Sequence, residues 1–188
     1  MGEMIGFCEA LKKQGKLRCY GASNFTRVRL DEAAVYTASC GIRGFSMVQN
    51  EFTLAVKTPA LPNGDTMTET DKDLFAWHTQ TDTPLFAYSA SANGLFAKAA
   101  YDPAVLNAGR YNTPENRRLY ALLADISKRT GADTGALALA YLINQPFPCL
   151  PICARSTPAG VRETMNAANI KLSEEDIAAL SEIKFDLH

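Results

Sequence analysis

The chain has 188 residues, of which 47% are hydrophobic and 21% charged, and its formal net charge is −1. This length and composition suffice for one globular domain with a sizeable core, and the scattered charges of both signs argue against a nucleic-acid or polybasic membrane-binding surface. No apolar run approaches the roughly 20 residues of a membrane-spanning helix, and the N-terminus carries an acidic residue where a signal peptide has basic ones. We therefore expect a single cytoplasmic domain over residues 1–188.

The chain is predicted to begin with a helix and a strand. Apolar residues recur at spacings of three and four from Met1 to Gln14, before a basic last turn and Gly15, which predicts an amphipathic helix. Lys16 to Tyr20 form the first predicted strand, which we expect to be buried, and Gly21 to Asn24 turn the chain at its end. A helix over residues 1–14 thus precedes the first strand.

A second helix follows this turn. Thr26 is a residue type that caps helices, and the helix is expected to run to about Ser39, before Gly41. The residues expected on or near its inner face are Val28, Leu30, Ala33, Ala34 and Val35.

Three further stretches are predicted to be strands, and each is followed by a helix. The strands are residues 45–50, 84–89 and 148–153. A loop rich in Pro, Gly, Asn and Thr from Lys57 to Thr68 is longer than usual and is expected to be functional or mobile. A helix over about 70–80 follows this loop, and later helices start near Thr113, Asp133, Thr157 and Ser173, which are all capping residue types.

Strands that alternate with helices predict a parallel sheet with right-handed crossovers. Polar side chains lie at or just beyond the end of every predicted strand: Ser23-Asn24, Gln49-Asn50, Tyr88-Ser89 and Arg155-Ser156. Because the carboxyl ends of parallel strands share one edge, this row indicates a ligand site. The alternative is four independent helix caps.

The cysteines and His78 carry less functional information. Cys8, Cys19, Cys40, Cys149 and Cys153 are an odd number without C-x-x-C spacing, so neither a disulfide framework nor a zinc site is expected. Since Cys19, Cys149 and Cys153 lie in apolar strand-like runs, we expect buried, reduced thiols. His78, beside Trp77 in a helix, is expected to be a packing or surface residue.

Several longer runs occur in a recognisable order and spacing. They are Gly15-Lys16-Leu17-Arg18 with Gly21-Ala22-Ser23-Asn24-Phe25, Gln49-Asn50-Glu51-Phe52, Leu85-Phe86-Ala87-Tyr88-Ser89 with Ala92-Asn93-Gly94, Thr113-Pro114-Glu115-Asn116-Arg117-Arg118, and Ala138-Leu139-Ala140-Tyr141-Leu142. On these runs, nearly the whole chain resembles the C-terminal half of an aldo/keto reductase, most closely the bacterial members. The family fold is an (α/β)8 barrel of about 250 residues or more, so the resemblance implies a parallel (βα)4 half-barrel, equivalent to the fifth to eighth strands.

The resemblance also implies a dinucleotide cofactor. NADP(H) is expected, and NAD(H) is the alternative because Ala154 and Thr164 depart from the usual residues and Arg155 is one position off. The residues that match cofactor contacts are Ser23, Asn24 and Gln49 at the nicotinamide carboxamide, Tyr88 on the nicotinamide ring, Ser89, Gly94 and Leu95 around the pyrophosphate, Arg155 and Ser156 at the adenosine phosphate, and Glu163 near adenine.

No catalytic residue is assigned, because the family's catalytic Asp, Tyr, Lys and His lie on its first four strands, which have no counterpart here; Tyr20 is expected to be a core residue. One hypothesis is therefore the cofactor-binding half of an NADPH-dependent aldehyde or ketone reductase, inactive as the isolated chain. The other is a non-catalytic half-barrel that binds a dinucleotide or is only an assembly or structural remnant. An unrelated α/β binding module would require coincidental motif matches.

A half-barrel would expose two unpaired strand edges and an apolar face. We expect that surface to be covered by the N-terminal half or by a second copy of the chain; the alternative is a truncated gene product that folds poorly.

Overall fold

In the computed structural model, which describes residues 1–58 and 67–185, four strands form one parallel sheet and eight α-helices flank it. The strands are β1 (Ala22–Ser23), β2 (Val48–Glu51), β3 (Leu85–Tyr88) and β4 (Cys149–Pro151), and the helices are α1 (Gly2–Lys13), α2 (Arg27–Ser39), α3 (Lys72–Thr81), α4 (Leu95–Ala99), α5 (Pro114–Thr130), α6 (Thr134–Ile143), α7 (Pro158–Asn166) and α8 (Glu174–Phe185). The sheet order is β1-β2-β3-β4. Strands in chain order with helical crossovers are the arrangement of half a (βα)8 barrel, which confirms the expected fold class.

The first strand lies further along the chain than predicted. Residues 16–20 contain no strand. After an isolated bond from the Ser46 N–H to the Tyr20 carbonyl at 2.9 Å, the regular ladder with β2 starts where the Ala22 N–H donates to the Met47 carbonyl at 3.1 Å. Lys16, Arg18 and Cys19 are exposed and Leu17 is half-buried, so this run does not form a buried strand. At Gly21 a Cβ would lie 2.7 Å from the Met47 oxygen, so only glycine lets the chain approach β2 this closely.

The same displacement corrects the prediction for Cys19, which is exposed. Cys149 is buried in β4, where burial raises the pKa of its thiol to about 12, and Cys153 is half-buried. Tyr20 is buried as expected, and its hydroxyl donates to Glu9 Oε1 at 2.8 Å.

Helix starts follow the predicted caps. The side-chain oxygens of Thr26, Thr113, Asp133 and Thr157 each accept a backbone N–H of the first turn that follows. On α2, however, Val28 and Val35 are 67% and 73% exposed, and Ala34 is also exposed. The inward placement predicted for these three residues is therefore wrong. The buried residues of α2 are Leu30, Ala33 and Thr37, which form a narrower stripe at spacings of three and four.

The two faces of the sheet have different environments. Ala22, Val48, Leu85 and Cys149 stand in register, and all four are buried. The next residues in register are Ser23, Gln49, Phe86 and Leu150, which are exposed or half-buried, and Leu150 is 44% exposed. Because successive side chains of a strand point to opposite faces, helices cover one face, and in the described part of the chain the other face is open.

The loop predicted from Lys57 to Thr68 falls largely outside the described residues, which leave out 59–66. Among the described residues, no helix combines the length and the apolar character needed to cross a membrane.

Candidate functional site

The carboxyl ends of β1 and β2 bring three of the predicted site residues together. Ser23 pairs in register with Gln49, and the Asn24 N–H donates to the Gln49 carbonyl at 3.1 Å. Asn24 has a φ of 57°, in the left-handed region, which turns the chain away from the sheet immediately after β1. Ser23 is exposed, and Gln49 and Asn24 are half-buried, so all three side chains remain accessible at this edge.

Tyr88, at the end of β3, reaches across β2 to this group. Its hydroxyl donates to Asn24 Oδ1 at 2.6 Å, and the Thr68 N–H donates to the same oxygen at 3.2 Å. Since Tyr88 is half-buried and held at its hydroxyl, its ring has a fixed orientation beside the β1 and β2 ends. An aromatic ring and several amide groups thus meet at one point on the carboxyl edge.

The loops that follow β3 and β4 enclose a polar cavity of about 490 Å³. Its walls include Ser89, Ser91, Asn93, Lys98 and Arg155. Two basic side chains and several hydroxyl or amide groups around a groove are suited to an anionic ligand. Sequence analysis identified Ser89 and Arg155 but missed Lys98. The available signal was that this basic residue follows the small residues of the β3 loop within two helical turns.

The backbone of the β3 loop is unusual. Ser89, Ala92 and Asn93 all have φ between 47° and 57°, which residues with a Cβ rarely adopt. Such strained positions cluster at ligand sites, where the surrounding structure holds them. Gly94 and Leu95, the other two residues matched to this segment, are buried at the start of α4.

Arg155, Ser156 and Glu163 lie beyond β4, and all three are exposed. Arg155 Nε donates to Thr164 Oγ1 at 2.8 Å, which holds the guanidinium against α7. A second, mostly apolar cavity of about 220 Å³ adjoins Arg155 and is lined by residues of α6, β4 and α7, among them Leu139, Val161 and Met165. Sequence analysis did not predict this cavity.

Behind the β2 end lies a cluster of four charged side chains, which we call the ion quartet: Glu51, Lys57, Glu69 and Lys184. Lys57 Nζ contacts Glu51 Oε2 and lies 3.5 Å from Glu69 Oε2, while Lys184 Nζ lies 2.9 Å from Glu69 Oε1. Burial raises the pKa of Glu69, but the ammonium groups of Lys184 and Lys57 outweigh this and hold it below the ordinary value. Sequence analysis did not predict the quartet, because Glu69 and Lys184 are 115 residues apart.

His78 takes no part in this site. It is buried in α3, its Nδ1 lies 2.7 Å from the Thr83 carbonyl oxygen, and its ring stacks on Phe147. Burial lowers the pKa of His78 despite that hydrogen bond. Within the described residues there is no group of three or more His, Cys, Asp or Glu side chains that could hold a metal ion.

Comparison with known proteins identifies a protein family and solved structures of similar fold. The model of the aldo/keto reductase family matches residues 1–184. The fold is similar to that of a thermostable aldo-keto reductase crystallised in complex with the inhibitor epalrestat, with a TM-score of 0.63 over 95% of this chain and 21% sequence identity. The chain spans about half the length of that protein, 53%.

Proposed function

The chain belongs to the aldo/keto reductase family, and from this premise we propose that it forms the cofactor-binding half of an oxidoreductase that reduces an aldehyde or ketone with NADPH. The observation that carries the proposal is the hydrogen bond of 2.6 Å between the Tyr88 hydroxyl and Asn24 Oδ1. The two residues lie at the ends of β3 and β1, which are not neighbours in the sheet. This pair lies at the carboxyl edge, where ligands of parallel (βα) folds bind.

The residues at this edge suit the nicotinamide end of the cofactor. The side chains of Ser23 and Gln49 and the side-chain nitrogen of Asn24 can form hydrogen bonds with a carboxamide. The half-buried ring of Tyr88 offers a flat surface for stacking. In this proposal they fix the face of the nicotinamide that is presented to the substrate.

The polar cavity suits the phosphate groups. Lys98 and Arg155 supply two positive charges, and Ser89 and Ser91 supply hydroxyl donors, around a space of about 490 Å³. Ser156 and Glu163 are exposed further along the same segment, toward the adenosine end. Gly94 and Leu95 are buried where this loop enters α4. Preference for NADPH over NADH is assigned to Arg155.

When bound, the nicotinamide supplies a hydride to the carbonyl carbon. The carbonyl oxygen then needs a proton, and we assign that donor to a complementary half-barrel that carries the catalytic Asp, Tyr, Lys and His of the family. General acids contribute about 10²- to 10⁴-fold in rate, so the 188-residue chain by itself is proposed to bind cofactor without rapid turnover.

The open face of the sheet supports the need for a complementary half. Leu150 and Ile152 are each 44% exposed, and Phe86 is half-buried, so apolar side chains face solvent beside unpaired strand edges. A second copy of the chain, or a separate N-terminal half, would close four strands into eight. Light scattering at micromolar concentration tests the homodimer, and a monodisperse monomer would contradict it.

The function is tested by titrating NADPH into the purified chain by calorimetry, with NADH for comparison. We expect saturable micromolar binding of NADPH. Arg155→Met should weaken NADPH more than NADH, whereas Arg162→Met, which changes another exposed arginine on α7, should weaken neither. No binding at millimolar cofactor would refute the assignment of the site in this chain.

A further inference from the structure

A short segment after the long loop completes the carboxyl edge of the sheet. Thr68 to Thr70 runs beside the end of β2: the Glu51 N–H donates to the Thr68 carbonyl at 2.9 Å, and the Thr70 N–H donates to the Glu51 carbonyl at 2.7 Å. Glu51 and Glu69 are the partners of this parallel bridge. The segment therefore occupies the position that β1 vacates when the chain turns at Asn24.

This docking brings two carboxylates side by side. Like charges on directly paired residues of neighbouring strands repel, and here the Glu51 side chain is only 3% exposed, so water screens the repulsion poorly. By itself, the pairing of Glu51 with Glu69 would push the segment away from β2.

Two lysines from other parts of the chain remove this repulsion. Lys57 Nζ contacts both carboxylates, and Lys184 Nζ, from the last turn of α8, lies 2.9 Å from Glu69 Oε1 and donates to the Ala55 carbonyl at 3.1 Å. The side chains of Lys57, Lys184 and Glu51 are 5%, 4% and 3% exposed, whereas that of Glu69 is 35% exposed. The quartet is therefore a mostly buried cluster of two positive and two negative charges. Loss of any one member leaves a net charge in the cluster.

The docked segment in turn contacts the candidate site. Thr68 accepts a hydrogen bond from Glu51 through its carbonyl and donates its N–H to Asn24 Oδ1, the same oxygen that accepts the Tyr88 hydroxyl. Within the described residues, displacement of Thr68 would leave the Tyr88 hydroxyl as the one remaining hydrogen-bond partner of Asn24 Oδ1.

We propose that the ion quartet is an electrostatic latch that positions the Asn24–Tyr88 pair, and that Lys184 on α8 is therefore a positioning residue for the nicotinamide end of the cofactor site. The cofactor part of this inference rests on the proposed function, whereas the latch itself is a property of the chain without cofactor.

The latch is tested first in the free protein by residue-resolved amide hydrogen exchange. Lys184→Met leaves one uncompensated negative charge, and we expect exchange at the Thr68 and Thr70 amides to accelerate about tenfold, as for the loss of one hydrogen bond, while the Leu85 amide inside the sheet keeps its rate. Lys184→Met combined with Glu69→Gln restores neutrality and should restore slow exchange. Lys128→Met, which removes an exposed ion pair on α5, is the control.

Equal acceleration at Leu85 would mean general destabilisation and would overturn the latch, as would unchanged exchange at Thr68. Lys184→Gln, which retains a donor for the Ala55 carbonyl, replaces Lys184→Met if the latter does not fold, with the same expected direction.

The link to the cofactor is tested by comparing NADPH with 2′-phospho-ADP-ribose, which lacks the nicotinamide. Lys184→Met should weaken NADPH binding about tenfold and leave the fragment within about twofold. Equal weakening of both ligands, or of neither, would overturn the positioning role. If the wild-type chain binds neither ligand, the proposed function fails, and the exchange experiment still decides whether the latch exists.

Discussion

Removing Lys57 should destabilise the whole protein strongly, because it leaves a buried carboxylate without its counterion. The Lys57 and Glu51 side chains are 5% and 3% exposed, so neither can turn to solvent without local unfolding. Breaking a buried pair by removing one partner costs about 3–5 kcal/mol, and domains of this kind unfold with only about 5–15 kcal/mol. We therefore expect Lys57→Met to lose a large fraction of the unfolding free energy.

Urea unfolding followed by the fluorescence of Trp77, the single tryptophan, measures this loss directly. A loss of 3–5 kcal/mol also corresponds to a fall in Tm of about 6–20 °C for a chain of this size. Lys57→Met combined with Glu51→Gln should recover most of the stability, since a neutral amide replaces the orphaned charge. Lys128→Met, at a pair whose side chains are 76% and 67% exposed, should change it by at most about 0.5 kcal/mol.

A loss below about 1 kcal/mol for Lys57→Met would refute this reasoning, because it would show that Glu51 finds water or another donor. Failure of the double variant to recover would also contradict it. The loss would then come from packing around the lysine chain and not from charge.

Three further predictions concern the fold. Burial lowers the pKa of His78, so the contribution of this residue to the free energy of unfolding is fully present above the unfolded pKa of about 6.5 and declines as the pH falls below it. The urea midpoints at pH 7.5 and pH 5 should therefore differ less in His78→Gln than in the wild-type chain. Gly21→Ala should cost about 1–3 kcal/mol because its Cβ would meet the Met47 oxygen, whereas Gly6→Ala, with open space in α1, should stabilise by about 0.5–1 kcal/mol; equal effects in urea would contradict this. Leu119→Ala, at a fully buried position of α5, should cost about 2–5 kcal/mol by thermal unfolding, and a loss under about 1 kcal/mol would contradict the packing described here.

Helix starts could be predicted because their signals are local. The caps at Thr113 and Asp133 each accept an N–H group three residues away, so the whole interaction lies within one short stretch of sequence. The first strand was misplaced because the apolar residues between Lys16 and Tyr20 resemble a strand, whereas pairing begins where Gly21 permits close approach to β2.

The candidate site was predictable in outline only. Parallel strands end at one edge, so the row of Ser23, Gln49 and Tyr88 follows from the alternation of strands and helices. The hydrogen bond from Tyr88 to Asn24 spans the strand between them, β2. In the ion quartet, the paired residues Glu69 and Lys184 are 115 positions apart in the chain. Such contacts depend on how the elements pack in three dimensions, which residue spacing does not contain.

The two hydrogen bonds at Asn24 Oδ1 also define what kind of ligand this residue recognises. An amide oxygen has two lone pairs, and the Tyr88 hydroxyl and the Thr68 N–H use both. The side chain is thereby locked against rotation that would exchange its oxygen and nitrogen. The Asn24 side chain can therefore bind a ligand only by donating a hydrogen bond from its amide nitrogen. This favours ligand groups with a carbonyl or carboxylate oxygen and disfavours an amine at the same place.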